Sequence, residues 1–592
     1  MPHKNTISPH EDMPSRAAPQ HAELRSTRAL VRRSALISGM ALASRLLGLV
    51  RDVGMAWLLG GVAAEALIIA IRLPHMVRRL FAEGALSLSV TAVLTQHNHP
   101  VLLTKSIIQQ LCLGVLPLAL LAWLAATPLM SLLAPASTAA VQDQAAYLFR
   151  ICLPYTVFVL LATPCMALLH SRQHFFAPAF APVLFNVCLI AFTLGAACGM
   201  GQPAPMLAAG MACGGALQWL SQYCAARSLV AGGKGEQSPP APREENPTTQ
   251  HGTQSFTGTA ATCAEKTHSN NAPLFIHDTA SAHSQSAPTK TMLCQQARKL
   301  VAAMPAGVLG AAAPQVLMLC AMAAASALPA GAVAGLYYAE RLLELPLGIL
   351  STGLGIASLP ALAQAAAQGK MNFFAEHSST ALRFALLLTL PAAAGLTAVA
   401  ETLITVLLGH GAFDHSACLA TTAALWGYVP ALPACAINRV LLAGCNACGH
   451  TRFTAVSTLF VSLLGLVAGL LCVRYSSNPL WLTLCISLAL WLQSLLLWRK
   501  VQQHLHQQGQ SLHLPWHRLW PLLAAALATG GSAWLCLVLS AELAPAISLC
   551  LAVPCGMLCC ALALGLFRNK DFYSLLHALR STKEDNAGKT QS

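Results

Sequence analysis

The chain has 592 residues, of which 56% are hydrophobic and only 9% are Asp, Glu, Lys or Arg, with a mean hydropathy of +0.59. A soluble domain carries about 25% charged residues, so this chain has too little charge to cover a water-facing surface and reads as a polytopic membrane protein. The 35 basic and 21 acidic residues leave a net +14. In a membrane protein that excess is first an orientation signal and then a hint of an anionic ligand; with no polar domain large enough to hold a binding face, it does not point to nucleic acid.

Residues 1–33 form a polar, basic extension with no visible signal peptide. Spanning helices need about 20 apolar residues. Breaks at Gly, Pro, Asn and charge clusters predict about fourteen, the first six near 34–59, 63–94, 105–133, 141–169, 179–199 and 205–230. Residues 231–295 follow, rich in Ser, Thr, Pro, Gln, Asn and His and without apolar periodicity, which predicts a disordered linker. Apolar runs resume near 297–327, 331–367, 378–408, 416–442, 451–473, 479–501, 516–541 and 545–567. The expected fold is all-α: an N-lobe (34–230) and a C-lobe (296–508) of six helices each around a central cavity, a C-terminal helix pair (509–567) and a tail (568–592).

Charge follows the same count. With the N-terminus in the cytoplasm, Arg25, Arg28, Arg32, Arg33, Lys105, Arg172, Lys370, Arg452, Arg499, Lys500, Arg518, Arg568 and Lys570 all fall at or near the inner face. The opposite loops hold one basic residue, Arg474. The positive-inside rule therefore puts both termini and the linker in the cytoplasm.

The 21 cysteines mostly sit in apolar runs, where Cys behaves as a small hydrophobe. A single C-x-x-C, Cys445–Cys448, has only His450 nearby, short of the four ligands of a structural zinc site. Neither a metal nor a cofactor is expected, and no catalytic residue is assigned.

The informative residues are ionisable groups inside spans, each costing about 2.5–3.5 kcal/mol at mid-bilayer on insertion scales and so normally facing an interior cavity. In the first span Ser44 and Arg51 are seven apart, as are Arg45 and Asp52, so a polar wedge with Gly48 runs down an apolar helix. The second span places Arg72, Arg79 and Glu83 on one face, with Arg78 beside them, Pro74 able to bend the helix, and Glu65 near the outer end. The eighth holds Tyr337, Glu340, Arg341 and Glu344, in which Arg341 can pair with Glu344 one turn on. Arginine suits bidentate phosphate contact, and several converging in one cavity would fit a diphosphate. The plainer alternatives are arginines that snorkel to the interface and acids (Asp52, Glu83) that merely neutralise a neighbouring arginine.

The blocks S-R-L-L-G-L-V-R-D (44–52), R-L-P-H-M-V-R-R-L-F-A-E-G-A (72–85) and Y-Y-A-E-R-L-L-E-L-P-L-G-I-L (337–350), and more faintly L-L-G-H-G-A-F-D (407–414), resemble the signatures of the MurJ/MviN family. The resemblance implies a lipid II flippase of the MOP exporter superfamily in the bacterial inner membrane, moving undecaprenyl-diphosphate-linked disaccharide peptide to the outer leaflet. Carried over, the family's cavity arginines fall on Arg45, Arg51, Arg78 and Arg341 and its first-helix serine on Ser44. Its helix-eight acid falls on Glu344 and, across a one-residue gap, an acid near the start of the second helix on Glu65; with Asp52 and Glu83 these are this chain's candidate coupling or pairing acids. The family departs from this chain at Glu65, Arg72 and His410. The resemblance further implies alternating access with spans one, two, seven and eight lining the cavity, a lipid-tail groove near the last two spans, and the cell-wall synthesis machinery as a possible partner. The competing readings are an exporter of another polyprenyl-linked glycan, a drug/cation antiporter of the same superfamily, or a membrane glycosyltransferase. An antiporter should need anionic cavity groups, and a transferase a sizeable outer loop.

Overall fold

The computed structural model describes residues 39–82, 90–231, 291–298, 315 and 318–574, except 92, 96, 98, 293, 296, 316, 317 and 570. The N-terminal extension, nearly all of the predicted linker, most of the predicted seventh span, Glu83 and the end of the tail lie outside these residues. Among the described residues every regular element is helical.

Helix α1 covers 39–58. Then come α2 (Gly61–Val77), which passes into a π-helical turn at Arg78–Ala82, α3 (Pro100–Leu124), α4 (Ala126–Leu133), α5 (Ala139–Ser171), α6 (Phe176–Ala197) and α7 (Pro203–Ala231). The second half contains α8 (Ala332–Ala367), α9 (Met371–Leu408), α10 (His415–Tyr428), α11 (Ala431–Ala447), α12 (Thr451–Tyr475), α13 (Pro479–His506), α14 (Trp516–Leu539) and α15 (Pro545–Leu566). Starts follow local chemistry. Proline occupies the first turn of α3, α13 and α15, where its missing N–H costs nothing. The carboxylate of Asp414 accepts from Ala417 N–H at 2.9 Å to cap α10.

Eight of these helices are long and apolar enough to cross a membrane, or nine if α10 and α11, bent by 44°, form one span. Three of the other expected spans fall short for identifiable reasons. Helix α2 is 17 residues long, α1 carries Arg45, Arg51 and Asp52, and α7 is diluted by Gly, Gln and Ser. Bulky apolar side chains face outward in rows, such as Leu113, Leu116, Leu120 and Leu124 on α3 and Val456, Leu459, Phe460, Leu463 and Leu470 on α12. Only hydrocarbon makes such a surface favourable over this area.

The first-half helices gather round α5 and α7, the second-half helices round α8, α9 and α13, and α14–α15 pack together against α9. The hydrophobic core distinguishes two ends of the molecule. One large cluster is common to both halves: Met55, Leu59, Ala64 and Ala66–Ile71 share it with Tyr337, Tyr338, Leu408 and Phe413. At the other end the described residues form two separate cores, one in the first half (Leu103, Ile107, Leu168, Leu169, Leu229) and one in the second (Phe374, Leu382, Leu441, Leu497, Val501).

Candidate substrate cavity

A cavity of about 630 Å³ lies between the halves on the side of the separate cores. It is lined by α1, the α2–π segment, α6, α8 and α11. Six arginines stand on its wall (Arg45, Arg51, Arg78, Arg79, Arg341 and Arg439) with two carboxylates, Asp52 and Glu344, an excess of four positive charges.

The polar wedge of α1 sets one wall. Arg51 binds Asp52 through Nη2 and Nε at 2.7 and 2.9 Å. Its Nη1 donates to Oδ1 of Asn186 at 3.1 Å, and the Asn186 amide donates to the backbone oxygen and hydroxyl of Ser44 at 2.8 and 3.2 Å. Asn186 on α6 thus ties together the two residues, seven apart, that share a face of α1. Nearby, the close approach of Arg45 to Gly348 brings a guanidinium of the first half onto α8.

The opposite wall is α8. Arg341 binds Glu344 at 2.8 Å one turn along, as its spacing predicts, and sits over the Tyr337 ring at 5.0 Å. Its Nε is 3.8 Å from Asp52, and the Tyr337 hydroxyl is 3.4 Å from the same carboxylate. Ion pairs then bridge the halves. Glu340 holds Arg72 at 2.9 Å and Arg79 at 3.5 Å, while Arg79 also binds Glu344. Arg72 and Arg79 do share a face, and they spend it on Glu340.

The structure therefore brings Ser44, Arg45, Arg51, Asp52, Arg78, Arg341 and Glu344 to one cavity. Glu65 is elsewhere. It is buried in the first turns of α2 near the shared core, where it accepts the Gly331 N–H at 2.6 Å at the start of α8. Sequence reasoning passed over His75, Asn186 and Arg439 as cavity residues; α6 and α11, which carry the latter two, were not expected as walls. Arg439 lies in an apolar run and donates from Nη1 to the Leu347 carbonyl at 3.2 Å. The rule that an intramembrane charge marks a site, applied to it, would have found it.

The model of the family "Lipid II flippase MurJ" matches residues 55–554. The chain belongs to the lipid II flippase MurJ family. Curated relatives agree: a probable lipid II flippase MurJ of Vibrio cholerae is 26% identical, the alignment covering 86% of this chain and 90% of the relative. One from Rhizobium meliloti is 30% identical over 72% and 71%. Among solved structures, a lipid II flippase MurJ in an inward closed conformation aligns with TM-score 0.68 at 19% identity, covering 92% of this chain and all of that one. A MOP-superfamily transporter from Pyrococcus furiosus aligns with TM-score 0.53 at 12% identity, covering 81% and 96%. The all-helical fold is thus that of the MurJ flippases, and it is shared with a MOP-superfamily transporter. As a member of this family the protein is a multi-pass transporter of the bacterial inner membrane that acts on lipid II, and it is not an enzyme.

Proposed function

We propose that this flippase carries lipid II by alternating access, its diphosphate held by Arg45, Arg51, Arg78 and Arg341 with Ser44, while the polyprenyl tail stays in the bilayer along α14–α15. The observation that carries this reading is the arginine-rich cavity at the end where the halves keep separate cores. Rocking the halves about the shared core would close that end and open the other. Asp52 holds Arg51 and Glu344 holds Arg341, so at these two arginines an entering diphosphate exchanges one set of charged contacts for another instead of meeting bare, repelling cations.

The positive-inside pattern supports cytoplasmic termini and fourteen crossings, with residues 34–230 and 296–508 as the two lobes and 509–567 as the tail-binding pair. In that orientation the cavity faces the cytoplasm, where lipid II is made. The enzymes that polymerise it outside are the natural consumers, and the cell-wall machinery is a partner in that sense.

Depletion of the native protein tests the site. Arg45→Ala and Arg341→Ala should each fail to sustain growth, and outer-leaflet lipid II, measured by its accessibility to an external probe, should fall about tenfold or more, as expected for loss of a charge-assisted contact. Wild-type accessibility in both variants would refute the cationic site.

A further inference from the structure

His75 stands among the cavity residues in α2, one turn before Arg78 and Arg79. Only 9% of it is exposed, and its ring meets Tyr155 of α5 edge-on, with centroids 6.3 Å apart and planes at 80°. Its Nδ1 is turned into the protein and has no hydrogen-bond partner among the described residues. Leaving a buried ring nitrogen unpaired is costly, and such groups call for an explanation. Packing does not supply one, because a phenyl ring would fill the same space against Tyr155 without an unpaired atom. With Nδ1 turned inward, Nε2 is the polar atom that the ring offers to the cavity. In the neutral ring with the proton on Nε2 it is a donor. The wall it shares carries Arg51, Arg78, Arg79 and Arg341.

We propose that His75 is a further diphosphate-contacting residue, donating from Nε2 to a non-bridging phosphate oxygen between the guanidiniums of α1, the π-helical turn and α8. This rests on the diphosphate reading given above and adds to it a neutral, directional donor. The arginines attract any anion in the cavity. A fixed imidazole N–H selects the one whose oxygen lies within hydrogen-bond reach of α2, and so orients the two phosphates relative to the arginines.

The test is binding of inorganic pyrophosphate by calorimetry to the purified full-length protein in nanodiscs, with thermal unfolding of each variant as a check on folding. His75→Leu and His75→Phe should bind about tenfold more weakly without a lowered unfolding midpoint, since they lose one hydrogen bond to a charged acceptor. His75→Gln, whose side-chain amide can stand where Nε2 stood, should stay within about threefold of wild type. Unweakened binding by the folded His75→Phe protein overturns the proposal, as does a His75→Gln protein no better than His75→Phe. A wild-type protein that fails to bind pyrophosphate, or an Arg341→Ala variant that binds it undiminished, overturns the diphosphate site itself and this inference with it.

Discussion

Gly348 shows how a single missing methyl group shapes the cavity. The Arg45 guanidinium passes so close to it that any Cβ there would occupy the same space. The obstructing atom belongs to the end of a flexible side chain, so Gly348→Ala should fold normally and displace the guanidinium. Lipid II transport into the outer leaflet of reconstituted vesicles should drop about tenfold, with a stability change within about 0.5–1 kcal/mol in thermal unfolding. Much of this site was legible in the sequence at residue scale. Ser44–Arg51 and Arg45–Asp52 announce themselves because charge in an apolar helix is expensive, and Arg341–Glu344 because i and i+3 are neighbours on a helix. Asn186 and His75 gave no such signal: a lone neutral polar side chain in an apolar run is equally at home bonded within a core, and only the fold brings Asn186 between Ser44 and Arg51.

The helices themselves were mostly readable, and their interruptions were not. A single predicted span at 416–442 is bent by 44° between α10 and α11, where Pro430 follows Gly427 and cannot donate to the helical ladder. The run at 105–133 breaks at Ala125, where Pro128 cannot donate to the Leu124 carbonyl and its ring would crowd it. Beyond Pro74 the π-helical turn at Arg78–Ala82 changes the rotation per residue. Both Arg78 and Arg79 line the cavity there, although an ideal helix would aim them about 100° apart. At the far end of the chain, Asp571 accepts from Arg383 Nε on α9 at 3.1 Å, both side chains being 11% exposed. Beside it Phe572 packs with Leu386, Leu387 and Leu522. This ion pair fastens the segment just beyond α15 to α9. Asp571→Ala leaves Arg383 buried without its anion and should destabilise the protein by about 3 kcal/mol, read as a lowered unfolding midpoint in detergent. The double variant Arg383→Met/Asp571→Leu should recover most of that loss. Equal midpoints for wild type and Asp571→Ala would show the pair contributes nothing.

At the scale of the whole molecule, the linker and the repeated charge pattern made two halves legible, but not which end is shut. The shut end depends on backbone geometry that no side-chain pattern encodes. The Ala412 N–H donates to the Trp57 carbonyl at 2.9 Å. A Cβ on Gly411 would come within 2.3 Å of that same oxygen, and one on Gly60 within 2.4 Å of the Ala412 oxygen. Gly411 also has a φ of +66°, which side-chain-bearing residues rarely adopt. Gly411→Val should therefore wedge this end apart. Spin labels on the exposed Val62→Cys and His415→Cys, with the other accessible cysteines replaced, should report a longer-distance population several-fold larger than in wild type, and an unshifted distribution would count against the clasp.

A latch assembled from peptide groups places unusual demands on heredity. The side chains of Trp57, Ala412 and their neighbours can drift without loosening it, because the hydrogen bond belongs to atoms every amino acid but proline supplies. What it forbids is bulk at two glycines and a ring at position 412. Its vulnerability is thus confined to a few codons, whereas the arginine cluster at the other end is exposed to damage at every residue that makes it.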